Sequence, residues 1–233
     1  MSKLTPENYI LFEFNSVPLL EYGTNSYIVV EGDGDIALVP GPHKFGLLLA
    51  KNVNFNIPYG NRFNNIRKGF SLGFWMNSVS MSDKIIDGSV YSTTMPLVSL
   101  GRTYDNGQEY EMNSGAFCLY EKCLFKNYNQ LCIALIGPNG DKHEFESELY
   151  ETGVFNHFLL LVDTDIDSIK LYINGVETIL SSTYEGFVPP LIGTTGSHYL
   201  YLNNGVLGNK ISYEKNTGII DDFFIGPSSI HES

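Results

Sequence analysis

The sequence is poor in charge, and basic charge is scarcest. Asp, Glu, Lys and Arg make up 17% of it, with 14 basic side chains against 26 acidic and a net charge of −12. Binding nucleic acid through its phosphates needs clustered Lys and Arg. The densest basic group here is Arg62, Arg67 and Lys68, which reads as a solvated loop, so no nucleic-acid partner is expected. Long apolar runs are missing as well. No stretch approaches the ~18 residues that cross a bilayer as a helix, and membrane insertion is not expected. The opening residues MSKLTPENY lack the apolar segment of a secretory signal. Abundant Asn notwithstanding, no Asn-x-Ser/Thr acceptor occurs. Cysteine is limited to Cys118, Cys123 and Cys132. Their odd number and apolar neighbours point to buried free thiols, with a cross-strand Cys118–Cys132 disulfide as the alternative if their strands pair. Their spacing matches no zinc ribbon. Free thiols and the missing signal together suggest synthesis in a reducing cytoplasm. No Ser-His-Asp set, HExxH motif, phosphate-cradling glycine loop or nucleotide fingerprint is present.

What the sequence does contain is short apolar segments separated by Gly, Pro, Asn and Asp. The clearest runs from Phe155 to Glu177, FNHFLLLVDTDIDSIKLYINGVE. Phe158–Val162 is near-continuously apolar, as in a strand buried on both faces. Asp163–Asp167 is a turn cluster. Ile169, Leu171 and Ile173 alternate with Lys170 and Tyr172, the period of a half-buried strand. Asn174-Gly175 then marks a tight reversal, since both residues tolerate positive φ. Further strands are expected over Tyr9–Phe14, Tyr27–Val30, Asp35–Val39, Gly46–Ala50, Phe70–Met76, Leu97–Leu100, Ala116–Tyr120, Leu131–Ile136, Glu144–Leu149, Tyr199–Leu202 and Ile219–Ile225. Asn52–Asn65 reads as a loop or edge region. No 3.6-residue apolar period persists for three turns, although Val206–Tyr213 allows a short helical turn. Many closely spaced strands without βαβ alternation predict an all-β antiparallel sandwich or jelly roll. No linker or long repeat divides the chain, so a single domain over 1–233, with its core at about 9–227, is expected.

Several segments resemble the laminin-G-like, concanavalin A-like jelly rolls of the lectin/glucanase superfamily. Phe12-Glu13-Phe14-Asn15 resembles an aromatic-x-Phe-Asp opening strand. Pro40-Gly41-Pro42-His43-Lys44-Phe45-Gly46 resembles a PGxxG turn, and Gly69–Met76 the FTISFWVK strand. Pro96–Gly101 resembles ILSLG, and Phe155–Phe158 stands where xWHHVA is usual. Lys170–Gly175 matches LKLYVNG, and Gly218–Ile225 matches GxIDDVRI. The resemblance implies two stacked, curved antiparallel sheets. It leaves the ligand open, because lectins, adhesion modules, glycosidases and virus structural proteins share this scaffold.

Three candidate sites follow. His143-Glu144-Phe145-Glu146-Ser147-Glu148 sets carboxylates at alternate positions, on one face of a strand. Some glycosidases of the superfamily use Glu-x-Asp-x-Glu this way. Here Glu146 replaces the central Asp, so the row reads as a solvated face, with Phe145 and Leu149 turned to the core. Asp163-Thr164-Asp165 begins like a calcium loop, but Ser168 and Asn174 break that pattern and a turn is expected. The resemblance implies a Ca²⁺ site instead at Asp222 with Asn15, the latter standing where relatives often carry Asp. Asp221 and Asp222 acting only as acceptors for backbone N–H groups is the competing reading. A ligand surface is expected from loop aromatics and amides: Tyr59, Asn61, Phe63, Tyr104, Asn106, Tyr184, His198 and Tyr201. Trp75, the single tryptophan, is expected in the core.

These features favour a non-enzymatic recognition or structural module over a β-glucan hydrolase. The expected partners are proteins of a larger assembly, glycans or both, with oligomerisation. A low-charge, Asn- and Tyr-rich surface suits lasting protein contacts, and virion decoration or attachment, in a phage or at a host cell surface, is the leading expectation. A cellular lectin-like domain is the alternative.

Overall fold

A computed structural model describes residues 9–17, 19, 29–31, 36–49, 54–58, 69–78, 84–86, 89–91, 93–101, 117–125, 127–136, 142–182, 199–202 and 218–227. In chain order the strands are β1 (Ile10–Phe12), β2 (Val29–Glu31), β3 (Leu38–Gly41), β4 (Lys44–Leu48), β5 (Asn54–Pro58), β6 (Gly69–Asn77), β7 (Lys84–Ile86), β8 (Ser89–Tyr91) and β9 (Thr93–Gly101). They continue with β10 (Phe117–Phe125), β11 (Tyr128–Ile136), β12 (Lys142–Glu151), β13 (Phe155–Asp163), β14 (Ser168–Ile173), β15 (Val176–Thr178), β16 (Ser181–Ser182), β17 (Tyr199–Leu202) and β18 (Ile219–Pro227). No helix occurs among the described residues. The Val206–Tyr213 segment lies outside them.

Sheet 1 has the order β15-β14-β13-β6-β18-β4-β3, with β1 also paired to β18. Sheet 2 has the order β16-β12-β11-β10-β9-β17-β5-β2, and β7-β8 form a separate hairpin. The pairings are antiparallel, so the chain builds the expected all-β sandwich. One apolar core unites both sheets. Phe70, Leu72, Phe74, Phe158, Leu160, Leu171, Phe223 and Ile225 enter from sheet 1, and Phe55, Leu97, Phe117, Leu119, Leu131, Ile133, Phe145 and Leu200 from sheet 2. Phe70 stacks on Phe117 across the layers at 4.6 Å between ring centroids. Each such ring removes a large apolar area from water, the main favourable contribution to folding.

The strand–turn–strand unit of Phe155 to Glu177 forms as the residue pattern demands. Phe158 pairs with Ile173, and Asp163 with Ser168. Phe158, Leu160 and Val162 face the core, whereas Leu159 is half-buried on the other side. Asn174 at φ 53° and Gly175 at φ 80° reverse the chain into β15. Asp163–Asp167 is a turn in which the Asp163 carboxylate accepts the Asp165 N–H at 3.0 Å. Asn54–Pro58, read as loop or edge from the sequence, is a strand between β17 and β2.

Bulges on β18 and β12 reset side-chain parity. On β18, Asp221 pairs with Trp75 and Phe224 with Gly73, so the β18 strand carries one extra residue. Asp222, at φ 48°, occupies that bulge. A regular strand would send Ile220, Asp222 and Phe224 to one face. The extra residue lets Ile220, Phe223 and Ile225 all reach the core. On β12, Glu146 pairs with Cys132 and Leu149 with Gln130, again one residue in excess. Phe145 and Tyr150 therefore both face the core, and Leu149, expected there, is 46% exposed.

A polar group is enclosed at the edge of the core. The Glu121 carboxylate, 0% exposed, accepts hydrogen bonds from the hydroxyls of Ser78 and Tyr150. Burial, with Glu121 beside it, holds the Tyr150 hydroxyl far above its ordinary pKa. Two buried hydroxyl donors are the kind of compensation that makes enclosure of a carboxylate tolerable.

Candidate functional site

The outer face of sheet 2, away from the core, is built from β10, β11 and β12. Strand parity sends Cys118, Tyr120 and Lys122 of β10 outward, because Phe117, Leu119 and Glu121 take the inner positions. Cys132 and Ala134 of β11 join them, and Cys118, Tyr120, Cys132 and Ala134 form a second buried cluster. Half of this face is therefore enclosed. The other half is open. Tyr128 and Leu149 are each 46% exposed, with Gln130 directly across from Leu149 and Glu151 across from Tyr128.

Between the enclosed and open halves lie two side-chain pairs. The Tyr120 hydroxyl donates to Glu144 at 2.8 Å. The Lys122 ammonium pairs with Glu146 and lies 5.9 Å from the Tyr120 ring centroid. Burial works against the Lys122 charge, but the Glu146 hydrogen bond and neighbouring anions keep its pKa above the ordinary value. Burial, then nearby Cys132 and Glu144, raises the Tyr120 hydroxyl. Burial pushes the Cys132 thiol up to about 12. At neutral pH the thiol is thus protonated and a poor nucleophile. The Gln130 amide donates to the Ser147 carbonyl at 2.7 Å, fixing its orientation. Glu144 and Glu146 share a face as the alternation predicts, but both are half-buried and engaged rather than solvated. Glu148 falls in the bulge region and accepts from the Thr178 hydroxyl at 3.2 Å. The three cysteines are buried and none is in a disulfide. Cys118 lies opposite Ala134 and Cys132 opposite Tyr120, so the two thiols are not paired in register.

The outer face of sheet 1 carries a second cluster. Trp75 is half-buried there, contrary to the core position expected for it. In Phe74-Trp75-Met76 every residue is apolar, so hydrophobicity does not settle parity; Phe74, opposite Phe158 and stacked on it at 5.3 Å, takes the core side. Trp75 then lies between His157, at 5.0 Å, and His43, at 5.7 Å between ring centroids. His43 sits on the turn between β3 and β4. Its backbone N–H donates to Asp221 Oδ2 at 3.3 Å, and its Nδ1 pairs with Asp222. Asp221 Oδ1 accepts the Asp222 N–H at 2.9 Å, so the expected backbone acceptor role holds for Asp221. Burial raises the Asp221 pKa, with the His43 N–H acting in the opposite direction. Burial lowers that of His157. Asn15 donates its amide to Glu13 at 3.4 Å and keeps a buried, unpartnered Oδ1. Asp222 is thus joined to His43 and not hydrogen-bonded to Asn15.

Of the loop residues read as a ligand surface, Tyr59, Asn61, Phe63, Tyr104, Asn106, Tyr184 and His198 lie outside the described residues. Tyr201 lies on β17, paired with Asn56 and Ser99. Sequence reasoning missed Tyr128, Gln130 and Lys122. The signal for Tyr128 and Gln130 was the odd-even split of β11, in which Asn129, Leu131 and Ile133 take the buried parity, and for Lys122 that of β10, in which Phe117, Leu119 and Glu121 do.

No protein-family model matches the sequence, and no curated protein matches it. Solved structures do resemble the fold. The binding domain of Paraclostridial Mosquitocidal Protein 1 aligns at TM-score 0.62 and 16% identity, over 95% of this chain and 49% of that one. A botulinum neurotoxin type C structure, whose cell entry is described as dependent upon two ganglioside molecules, aligns at TM-score 0.57 and 14% identity, over 95% and 48%. Domain 4 of AbnA, an extracellular arabinanase from Geobacillus stearothermophilus in complex with arabinotriose, aligns at TM-score 0.54 and 16% identity, over 94% and 91%. The chain spans about half the length of the toxin binding domains. At these identities the likeness establishes the fold alone, an antiparallel β-sandwich.

Proposed function

We propose that the chain is a non-catalytic, laminin-G-like recognition module that binds a glycan across the open half of sheet 2's outer face. The observation that carries this reading is the grouping there of Tyr128, Leu149, Gln130 and the Lys122–Glu146 pair on adjacent strands. A sugar ring presents an apolar face and a rim of hydroxyls. Tyr128 and Leu149 offer apolar contact, and the amide, ammonium and carboxylate offer oriented hydrogen bonds. The arabinotriose complex of one structural neighbour and the dependence of another's cell entry on gangliosides make glycans the ligand class to test first. The reading is tested by screening the protein on an array that includes gangliosides and arabino-oligosaccharides, beside Tyr128→Ala and Lys122→Ala variants. Binding by the parent, weakened about tenfold or more in either variant, supports it. No binding, or equal binding by all three, defeats it.

A protein partner is favoured by a different observation. β15 is the edge strand of sheet 1, and Val176 and Ile179 on and beside it are 70% and 74% exposed. Exposed apolar groups at an open sheet edge suit docking to another chain. We infer that this edge serves assembly, the virion decoration or attachment setting suggested by the sparse charge. Sedimentation of the parent and of Val176→Lys/Ile179→Lys tests it: self-association lost in the variant supports the idea, and a monomeric parent at high concentration argues against self-assembly.

A further inference from the structure

Asp221 is 0% exposed, and Asp222 follows it directly. Two adjacent carboxylates, one of them fully enclosed, call for positive charge nearby. Among the described residues no lysine or arginine pairs with either. Among those described residues the ion-pairing partner is His43, through Nδ1 to Asp222. One imidazole carries at most one positive charge against two carboxylates. The donor atoms of His43, Asp221 and Asp222 nevertheless converge: one from each residue lies within 4.8 Å of the others.

The hairpin is seated to permit this. A Cβ on Gly41 would stand 2.7 Å from Asp221 Oδ2, so the absence of a side chain there lets the β3–β4 turn close over the carboxylate. Asp221 is held by two backbone N–H groups, from His43 and Asp222. Such supporting hydrogen bonds orient a metal-binding carboxylate without using all its lone pairs.

We propose that His43, Asp221 and Asp222 form a binding site for a divalent transition-metal ion of the zinc type. Ligand distances to such ions are about 2.0–2.2 Å for imidazole nitrogen and carboxylate oxygen, so donors within 4.8 Å of one another close on one ion after small side-chain shifts. The donor chemistry discriminates between ions. Calcium takes about 6–8 oxygen ligands, whereas an imidazole nitrogen with two carboxylates suits zinc, copper or nickel. The ion takes the place of the direct His43–Asp222 contact and balances both carboxylates. Three protein ligands leave a position for water or for a ligand atom from outside. The site lies on the opposite sheet from the glycan face and stands or falls independently of it.

Trp75 supplies a direct readout, because His43 lies 5.7 Å from its ring centroid and the chain has no other tryptophan. Untagged protein is titrated with Ni²⁺, whose open d-shell quenches indole emission, then with Zn²⁺ as competitor and Ca²⁺ as the oxygen-seeking control. Saturable one-to-one quenching, reversed by Zn²⁺ and unaffected by Ca²⁺, is expected. His43→Ala removes a direct ligand, and the loss is expected to exceed the roughly 10–100-fold typical of a supporting residue. The His43 side chain is 54% exposed, so its removal spares the core; Asp222→Asn provides a second variant at the bulge. Absence of saturable quenching overturns the proposal, as does quenching retained in both variants. Competition by Ca²⁺ that is sensitive to Asn15→Ala also overturns it, in favour of an oxygen-ligated calcium site.

Discussion

Removal of the Tyr150 hydroxyl tests whether hydrogen bonding stabilises the enclosed Glu121 carboxylate. Glu121 is 0% and Tyr150 5% exposed, so no water replaces the lost donor without rearrangement. Hydrogen bonds to charged groups contribute about 1.5–3 kcal/mol, and Tyr150→Phe deletes one of the two hydroxyl donors while preserving the ring. The ring's edge contact with Phe158, at 4.9 Å between centroids, survives the change. The expected loss is therefore about 1.5–3 kcal/mol. In a Glu121→Gln background the same change removes a bond between neutral groups and costs about 0.5–1.5 kcal/mol. The difference, about 1 kcal/mol or more, is the coupling that a double-mutant cycle isolates. Urea unfolding followed by circular dichroism measures it, with Tyr128→Phe, on an exposed ring, expected within about 0.5 kcal/mol of the parent. A Tyr150→Phe change that costs less than about 0.5 kcal/mol in both backgrounds would mean that the hydroxyl does not stabilise the Glu121 carboxylate.

The β12 bulge predicts that Leu149→Ala changes stability by less than about 0.5 kcal/mol, whereas Leu160→Ala, in the core, costs about 2–5 kcal/mol; equal costs by urea unfolding would place Leu149 inside. Gly69 has φ +120°, and a Cβ there would stand 2.0 Å from the Val162 carbonyl oxygen. Gly69→Ala is expected to lower the melting temperature well beyond Gly175→Ala, where φ is +80° but nothing lies within 4 Å and left-handed backbone alone costs about 1–2 kcal/mol. Alkali should weaken the fold through Cys132. Its folded thiol titrates at about 12, whereas an unfolded one loses its proton at about 8.5. The folded state then holds more protons, so this contribution is complete below about pH 8.5 and is lost as pH rises, at up to about 1.4 kcal/mol per unit. Cys132→Ala should flatten the fall in urea midpoint between about pH 9 and 10; an unchanged slope argues that the thiol is accessible.

Local pattern was enough to read much of the scaffold from the sequence. Alternation at Ile169, Leu171 and Ile173, followed by Asn174-Gly175, carries its own geometry, because strand period and turn φ depend on neighbours in sequence. Leu149 and Trp75 were misplaced for a shared reason. Bulges and cross-strand register decide parity, and they depend on the partner strand: Cys132 and Gln130 for β12, Phe158 for Trp75. The His43–Asp221–Asp222 group was half visible. Asp222 was singled out from the resemblance, but His43 meets Asp221 across 178 positions of chain. No spacing rule links residues that only antiparallel closure of β4 onto β18 brings together. The recognition face had the same obstacle, being assembled from single residues of three strands. The loop aromatics proposed as ligands from the sequence lie outside the described residues, except Tyr201 on β17.

Hydrogen exchange with the glycan bound shows which sheet the ligand covers. The protein is saturated with the tightest-binding glycan from the array, and amide protection is compared with the free state. Added protection is expected over Phe117–Phe125, Tyr128–Ile136 and Lys142–Glu151, with none added over Gly69–Asn77 or Phe155–Asp163 on the other sheet. Protection confined to that other sheet, or no glycan bound at all, would contradict it.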